Sequence, residues 1–194
     1  MQRREFLQLG AGSALAAGVS GRMQALAQVP AAAAADITLT IAPVAVELAP
    51  NHILSTIGYN GSAPGPLLRM KEGVPVTVEV INQTDTPEFV HWHGFEIGAD
   101  VDGADEEGTP PVPPHGRQKY TFTPRPAGTR WYHTHAMALM DLHRGSYTGQ
   151  FGFVVVDGPS SPFATGHFDQ ELFLALRDWD PFFTTQVVDT DDLG

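Results

Sequence analysis

The chain has 194 residues and a formal net charge of −11, with 22 acidic side chains against 11 basic ones, so nucleic acid and anionic membranes are excluded as partners, since both need clustered Lys and Arg. No apolar run reaches the ~18 residues a membrane span requires, and the length suits one well-buried domain with the start of a second. There is no cysteine, which excludes disulfides and any thiolate metal ligand, while 16 prolines and 20 glycines point to a turn-rich β fold.

Residues 1–27 read as a targeting signal. Gln2-Arg3-Arg4-Glu5-Phe6-Leu7 is followed by a weakly apolar stretch from Leu9 to Val19 and by the small-x-small site Ala25-Leu26-Ala27. Paired arginines before Phe-Leu look like a twin-arginine export signal, so a periplasmic or extracellular product is expected. Its removal leaves eight basic against twenty-one acidic side chains, a net charge near −13. Residues 28–36 read as a linker.

From Ile37 the pattern turns to period two, with Ile37, Leu39 and Ile41 on one face. Gly58 to Pro66 is rich in turn formers. Gly73 opens a strand in which Val74, Val76, Val78 and Val80 alternate, and Asn82-Gln83-Thr84-Asp85 closes it with turn chemistry. Further strands are expected over Phe89–Phe95, Lys119–Thr123, Thr129–His135 and Gly149–Gly158, with a long acidic, Pro-rich loop from Gly98 to Pro114. Ala136 to Leu142 suits a short helical turn. Short strands at regular spacing predict an all-β Greek-key sandwich over residues 37–158. Residues 159–194 read as the truncated start of a second domain. In it, Glu171 to Trp179 has the pattern of a first strand that must either dock on the preceding domain or belong to a larger protein.

The strongest chemical signal is a pair of His-x-His motifs, His91-Trp92-His93-Gly94 and His133-Thr134-His135. On a strand, residues i and i+2 face the same way about 6.6 Å apart, so two such strands side by side bring four imidazoles into one small space. Metal–imidazole bonds are about 2 Å long, so the two histidines of one motif suit neighbouring ions better than a shared one. Four imidazoles with no carboxylate between them favour copper or zinc over calcium or magnesium.

His91-Trp92-His93-Gly94, then Val101-Asp102-Gly103, Trp131-Tyr132-His133-Thr134-His135 and Gly149 to Asp157, resembles the first cupredoxin domain of multicopper oxidases such as laccases and bacterial cuprous oxidases. The resemblance covers residues 37–158, and Thr165 to Trp179 looks like the way such enzymes enter their second domain. It implies a three-copper cluster where dioxygen is reduced to water, with four of its histidines supplied from here. His91 matches a ligand of the type 2 copper, His93 and His133 ligands of one type 3 copper, and His135 a ligand of the other. Asp102 matches an acid that helps deliver protons to bound oxygen. Trp92 and Trp131 are expected to point away from the histidines and pack the core.

The resemblance also defines what is lacking. The family's C-terminal domain supplies the other cluster histidines and the cysteine of the electron-accepting type 1 copper, and this chain has no cysteine. A C-terminal cupredoxin domain or another subunit is therefore expected to complete the cluster, with dioxygen and a phenolic or metal-ion reductant as small-molecule partners, and the 194-residue chain alone is expected to be inactive. The alternative is a copper-binding or sequestering module without turnover. His115 is expected in a turn and His52 and His167 in loops, while His143, with Met137 and Met140, is a weaker candidate for an accessory site.

Overall fold

A computed structural model describes residues 34–136, 148–158 and 169–179. The described residues form eight strands: β1 (Ile37–Ala49), β2 (His52–Tyr59), β3 (Leu68–Lys71), β4 (Val76–Asn82), β5 (Val90–His93), β6 (Arg117–Phe122), β7 (Gly128–Thr134) and β8 (Phe151–Asp157). The only helical turn among the described residues is a 3-10 segment, Asp105–Glu107. No described helix is long and apolar enough to cross a membrane. The strands form two four-stranded sheets, β2-β1-β4-β6 and β3-β8-β7-β5. Pairing is antiparallel except for β1 with β4 and β3 with β8.

The period-two faces of the sequence supply the core. Leu39 and Ile41 of β1, Val78 and Val80 of β4 and Tyr120 and Phe122 of β6 meet Met70, Trp92, Tyr132, Val154 and Val156 from the other sheet. Val74, expected within a strand, lies outside it and is exposed. The chain turns there, with Val74 N donating to the Lys71 carbonyl, and Pro75 has no N–H to give a ladder, so β4 begins at Val76. Strands β2 and β3 escape sequence reading for different reasons. The inward face of β2 carries Thr56 and Gly58 where an apolar alternation would show, and β3 has four residues.

Asn82 does more than end a strand. Its buried amide accepts from Thr84 N at 2.8 Å and donates to the carbonyls of Thr86 at 2.7 Å and Val112 at 3.2 Å. The acidic loop is thereby tied to the end of β4. At the other end, Asp36, the last residue of the expected linker, is bonded to Thr77 through both backbone and side chain.

Residues 171–179 require a correction. Residues 171–179 form no strand and have no ladder partner among the described residues. The alternation that suggested it is real. Phe173 packs on Phe153 at 5.6 Å and Arg177 lies over the Phe151 ring at 5.0 Å, while Leu172, Leu174 and Leu176 are 79%, 80% and 99% exposed. An ion pair between Arg69 and Glu171 at 2.6 Å adds to this docking against the outer face of β8. The signal-peptide reading (1–27), most of the linker, the helical turn after Ala136, and His143 and His167 lie outside the described residues.

Candidate metal centre

β5 and β7 are antiparallel neighbours whose register sets His91 opposite His133, Trp92 opposite Tyr132 and His93 opposite Trp131. Alternation then sorts the two motifs onto two faces. Trp92, Tyr132 and Val90 turn inward and are fully buried, while His91, His93 and His133 turn outward, followed by His135 just past the end of β7.

Trp131 shares the parity of His133 and therefore their face. It does not pack the core: it stacks on His133 with ring centroids 4.0 Å apart, lies 4.8 Å from His93, and is 39% exposed. Trp92 is buried as expected.

The four imidazoles converge. The His91 ring is the hub, with centroids 5.4 Å from His93, 5.2 Å from His133 and 5.2 Å from His135. One nitrogen from each of His91, His93 and His133 lies within 4.8 Å of the others. His91 Nδ1 faces the Asp102 carbonyl oxygen at 3.0 Å and its carboxylate at 3.1 Å, so Nδ1–H donates there and Nε2 is left with its lone pair. His133 Nδ1 likewise donates to the Thr134 carbonyl at 2.7 Å. His133 Nε2 then lies 3.3 Å from His93 Nδ1. That separation is long for a hydrogen bond, and it matches two nitrogens each about 2 Å from one tetrahedral ion, which lie about 3.3 Å apart. His135 Nδ1 sits 3.4 Å from the Glu106 carboxylate, an ion-pair distance that closes no hydrogen bond.

Two of the rings, His133 and His93, favour the neutral form. Burial, reinforced by the other three histidines, pushes His133 down to about 4 despite the opposing Thr134 carbonyl, and burial followed by the His91 charge lowers His93. The consequence for stability has a definite sign. Unfolded His133 takes up a proton below about 6.5, whereas the folded chain resists until about 4. Stability is therefore full above that upper value and falls as pH drops through the window, by about 3 kcal/mol at most. Urea titrations at several pH values are expected to show this loss, and His133→Gln is expected to flatten it.

A family model described as multicopper oxidase matches residues 41–161. The chain belongs to the multicopper oxidase family. Multicopper oxidase MmcO of Mycobacterium tuberculosis is 37% identical over 192 residues, which is 91% of this chain and 36% of that protein. Copper resistance protein A of Escherichia coli is 35% identical over 121 residues, 62% of this chain and 18% of that one. Among solved structures, the blue copper oxidase from Nitrosomonas europaea matches with a TM-score of 0.59 at 29% identity, covering 66% of this chain and 40% of its own. The multi-copper oxidase from Pseudomonas thermotolerans matches at 0.55 and 36% identity, covering 64% of this chain and 30% of its own. The chain thus spans 40% or less of the length of each of these relatives. Its all-strand sandwich is of the cupredoxin type found in multicopper oxidase domains.

The donor set of this multicopper oxidase chain fits copper. It offers imidazole nitrogens, those of His133 and His93 with lowered proton affinity, and the rings of His91 and His133 are already oriented through their second nitrogen. The loop bearing Asp102 is held against β5 by Trp92 N donating to the Asp102 carbonyl at 3.2 Å. Gly103, at φ +87, makes this approach possible, because a side chain there would land on the Val90 carbonyl oxygen. Gly103→Ala is expected to lift the loop and separate Asp102 from His91, visible as loss of the His91 Nδ1–H tautomer in nitrogen-15 spectra of the imidazoles. His115, by contrast, pairs with exposed Asp85 at 2.8 Å in the Pro113–Gly116 turn, and His52 is exposed on β2.

Proposed function

We propose that this chain supplies half of the histidine ligands of a trinuclear copper cluster in an oxidase that reduces dioxygen to water while oxidising a phenol or a metal ion. His91 serves the type 2 copper, His93 and His133 one type 3 copper, and His135 the other. Bound copper would supply the redox chemistry. The chain's own residues orient the donors, exclude water from the inner face and hold a proton beside the site. Asp102 fixes His91 through its carbonyl oxygen, and its carboxylate, 3.1 Å from His91 Nδ1, is the group that would hold a proton beside the site for oxygen reduction. The remaining histidines and the electron-accepting type 1 copper come from a further cupredoxin domain or another subunit. Arg3-Arg4 and Ala25-Leu26-Ala27 support export to the periplasm or beyond.

The observation that supports this reading best is the 3.3 Å approach of His93 Nδ1 to His133 Nε2, with His133 Nδ1 already committed to a carbonyl. A second reading is copper binding without turnover, for which the convergent nitrogens of His91, His93 and His133 suffice. Anaerobic loading followed by desalting and metal analysis tests both. Retained copper is expected, and a chain that emerges metal-free overturns them together. Oxygen consumption with a phenolic donor then separates them, with none expected from this chain alone and measurable uptake once its completing domain is added.

A further inference from the structure

Glu88 is the most deeply buried carboxylate among the described residues, 1% exposed, and it is not part of the histidine site. Its Oε2 accepts from Thr134 Oγ1 at 3.2 Å and from Gln150 Nε2 at 3.0 Å, and both partners are themselves buried. Thr134 Oγ1 in turn accepts from Ala136 N at 3.1 Å. Glu88 therefore grips the residue between His133 and His135 by its side chain. The Thr134 carbonyl is the same group that orients the His133 ring, at 2.7 Å from Nδ1.

The Glu88 backbone makes a second set of ties. Glu88 N donates to the Val112 carbonyl at 3.0 Å and Val112 N donates back at 2.8 Å, joining Glu88 to the acidic loop that carries Asp102 and Glu106. The next residue, Phe89, accepts from His135 N at 3.4 Å. One residue thus connects the end of β7, the segment leading into β8 and the Asp102 loop, and it lies two residues before the first residue of the strand bearing His91 and His93. Burying a carboxylate is costly unless its acceptors are used, and an apolar side chain would fill the space at lower cost. What an apolar residue lacks is the oxygen that fixes the Thr134 hydroxyl.

We propose that Glu88 is a positioning residue that sets the His133/His135 pair against the His91/His93 pair by anchoring Thr134. This rests on the metal-site reading above. Outer-shell anchors of this kind are worth about 10- to 100-fold in metal affinity.

The test uses the full chain with three substitutions, Glu88→Ala, Glu88→Gln and Thr134→Val, each read in two ways. The first readout is metal-free: the tautomer of His133 in nitrogen-15 spectra, expected as a single Nδ1–H form in the parent. The second is copper affinity by competition with a chelator, compared at matched folded fraction. Glu88→Ala and Thr134→Val are expected to mix the His133 tautomers and weaken copper at least 10-fold. Glu88→Gln, which keeps an acceptor oxygen for Thr134, is expected to restore the parent tautomer and affinity. If Glu88→Ala does not fold, Thr134→Val decides. Unchanged tautomer and affinity in the folded variants overturn the proposal and leave Glu88 a purely structural group. A parent chain that binds no copper overturns the metal-site reading instead, while the tautomer readout still judges Glu88.

Discussion

Replacing His91 and His133 together by alanine is expected to abolish copper retention and leave the sandwich folded. The two residues are direct cross-strand partners on the outer face of their sheet. His91 is the ring nearest all the others, and His133 is the one whose Nε2 meets His93 Nδ1. Without them, His93 has no facing nitrogen, and the group of three donors within 4.8 Å of one another is reduced to a single member. The fold loses little, because neither ring reaches the core and the main packing loss is the stack of Trp131 on His133, about 1 kcal/mol. Removing the desolvated His133 also relieves the acid-dependent penalty on the folded state. Metal analysis after anaerobic loading and a urea melt on the same sample read the two halves of the expectation. Parent-level copper in the variant would exclude these histidines as the site, and a collapsed melt would show that they belong to the core.

The site was legible in the sequence to the extent that it depends on strand parity. Two His-x-His motifs in strand context require paired, outward-facing imidazoles, and the register of β5 with β7 brings them together. The same parity argument, applied to Trp131, sets it with the histidines, whereas the expectation that it packs the core treated both tryptophans alike. What parity cannot reach is contact set by loops and by distant side chains. Glu106 next to His135 depends on the path of the acidic loop, and Glu88 beneath Thr134 depends on a bridge to Val112 that no local pattern encodes. For the fold, strands with a clean apolar alternation were readable. β2, with Thr56 and Gly58 facing inward, and the four-residue β3 were not, because their place is fixed by neighbours and not by their own hydrophobicity.

Trp92→Ala is expected to give the opposite result to the histidine pair, although Trp92 lies between two of the candidate ligands. Its ring is fully buried between the sheets, with centroids 5.9 Å from Tyr120 and 5.0 Å from Phe122 of one sheet and 6.1 Å from Tyr132 of the other. Truncation removes the largest fully buried side chain among the described residues and opens a cavity that three aromatic neighbours cannot easily close, a loss of about 3–5 kcal/mol. Against a typical domain stability of about 5–15 kcal/mol, that is a large share. Among the described residues Trp92 Nε1 has no hydrogen-bond partner, so Trp92→Phe forfeits volume without orphaning a polar group and is expected to cost less than the alanine change. Urea midpoints of the two variants measure the difference, and an alanine variant within about 1 kcal/mol of the parent would contradict the buried setting of this ring. Because β5 has only four residues, one face of a very short strand carries the candidate ligands and the other carries the packing that keeps it in register. Loss of copper in the alanine variant should therefore track its unfolded fraction and not its folded one.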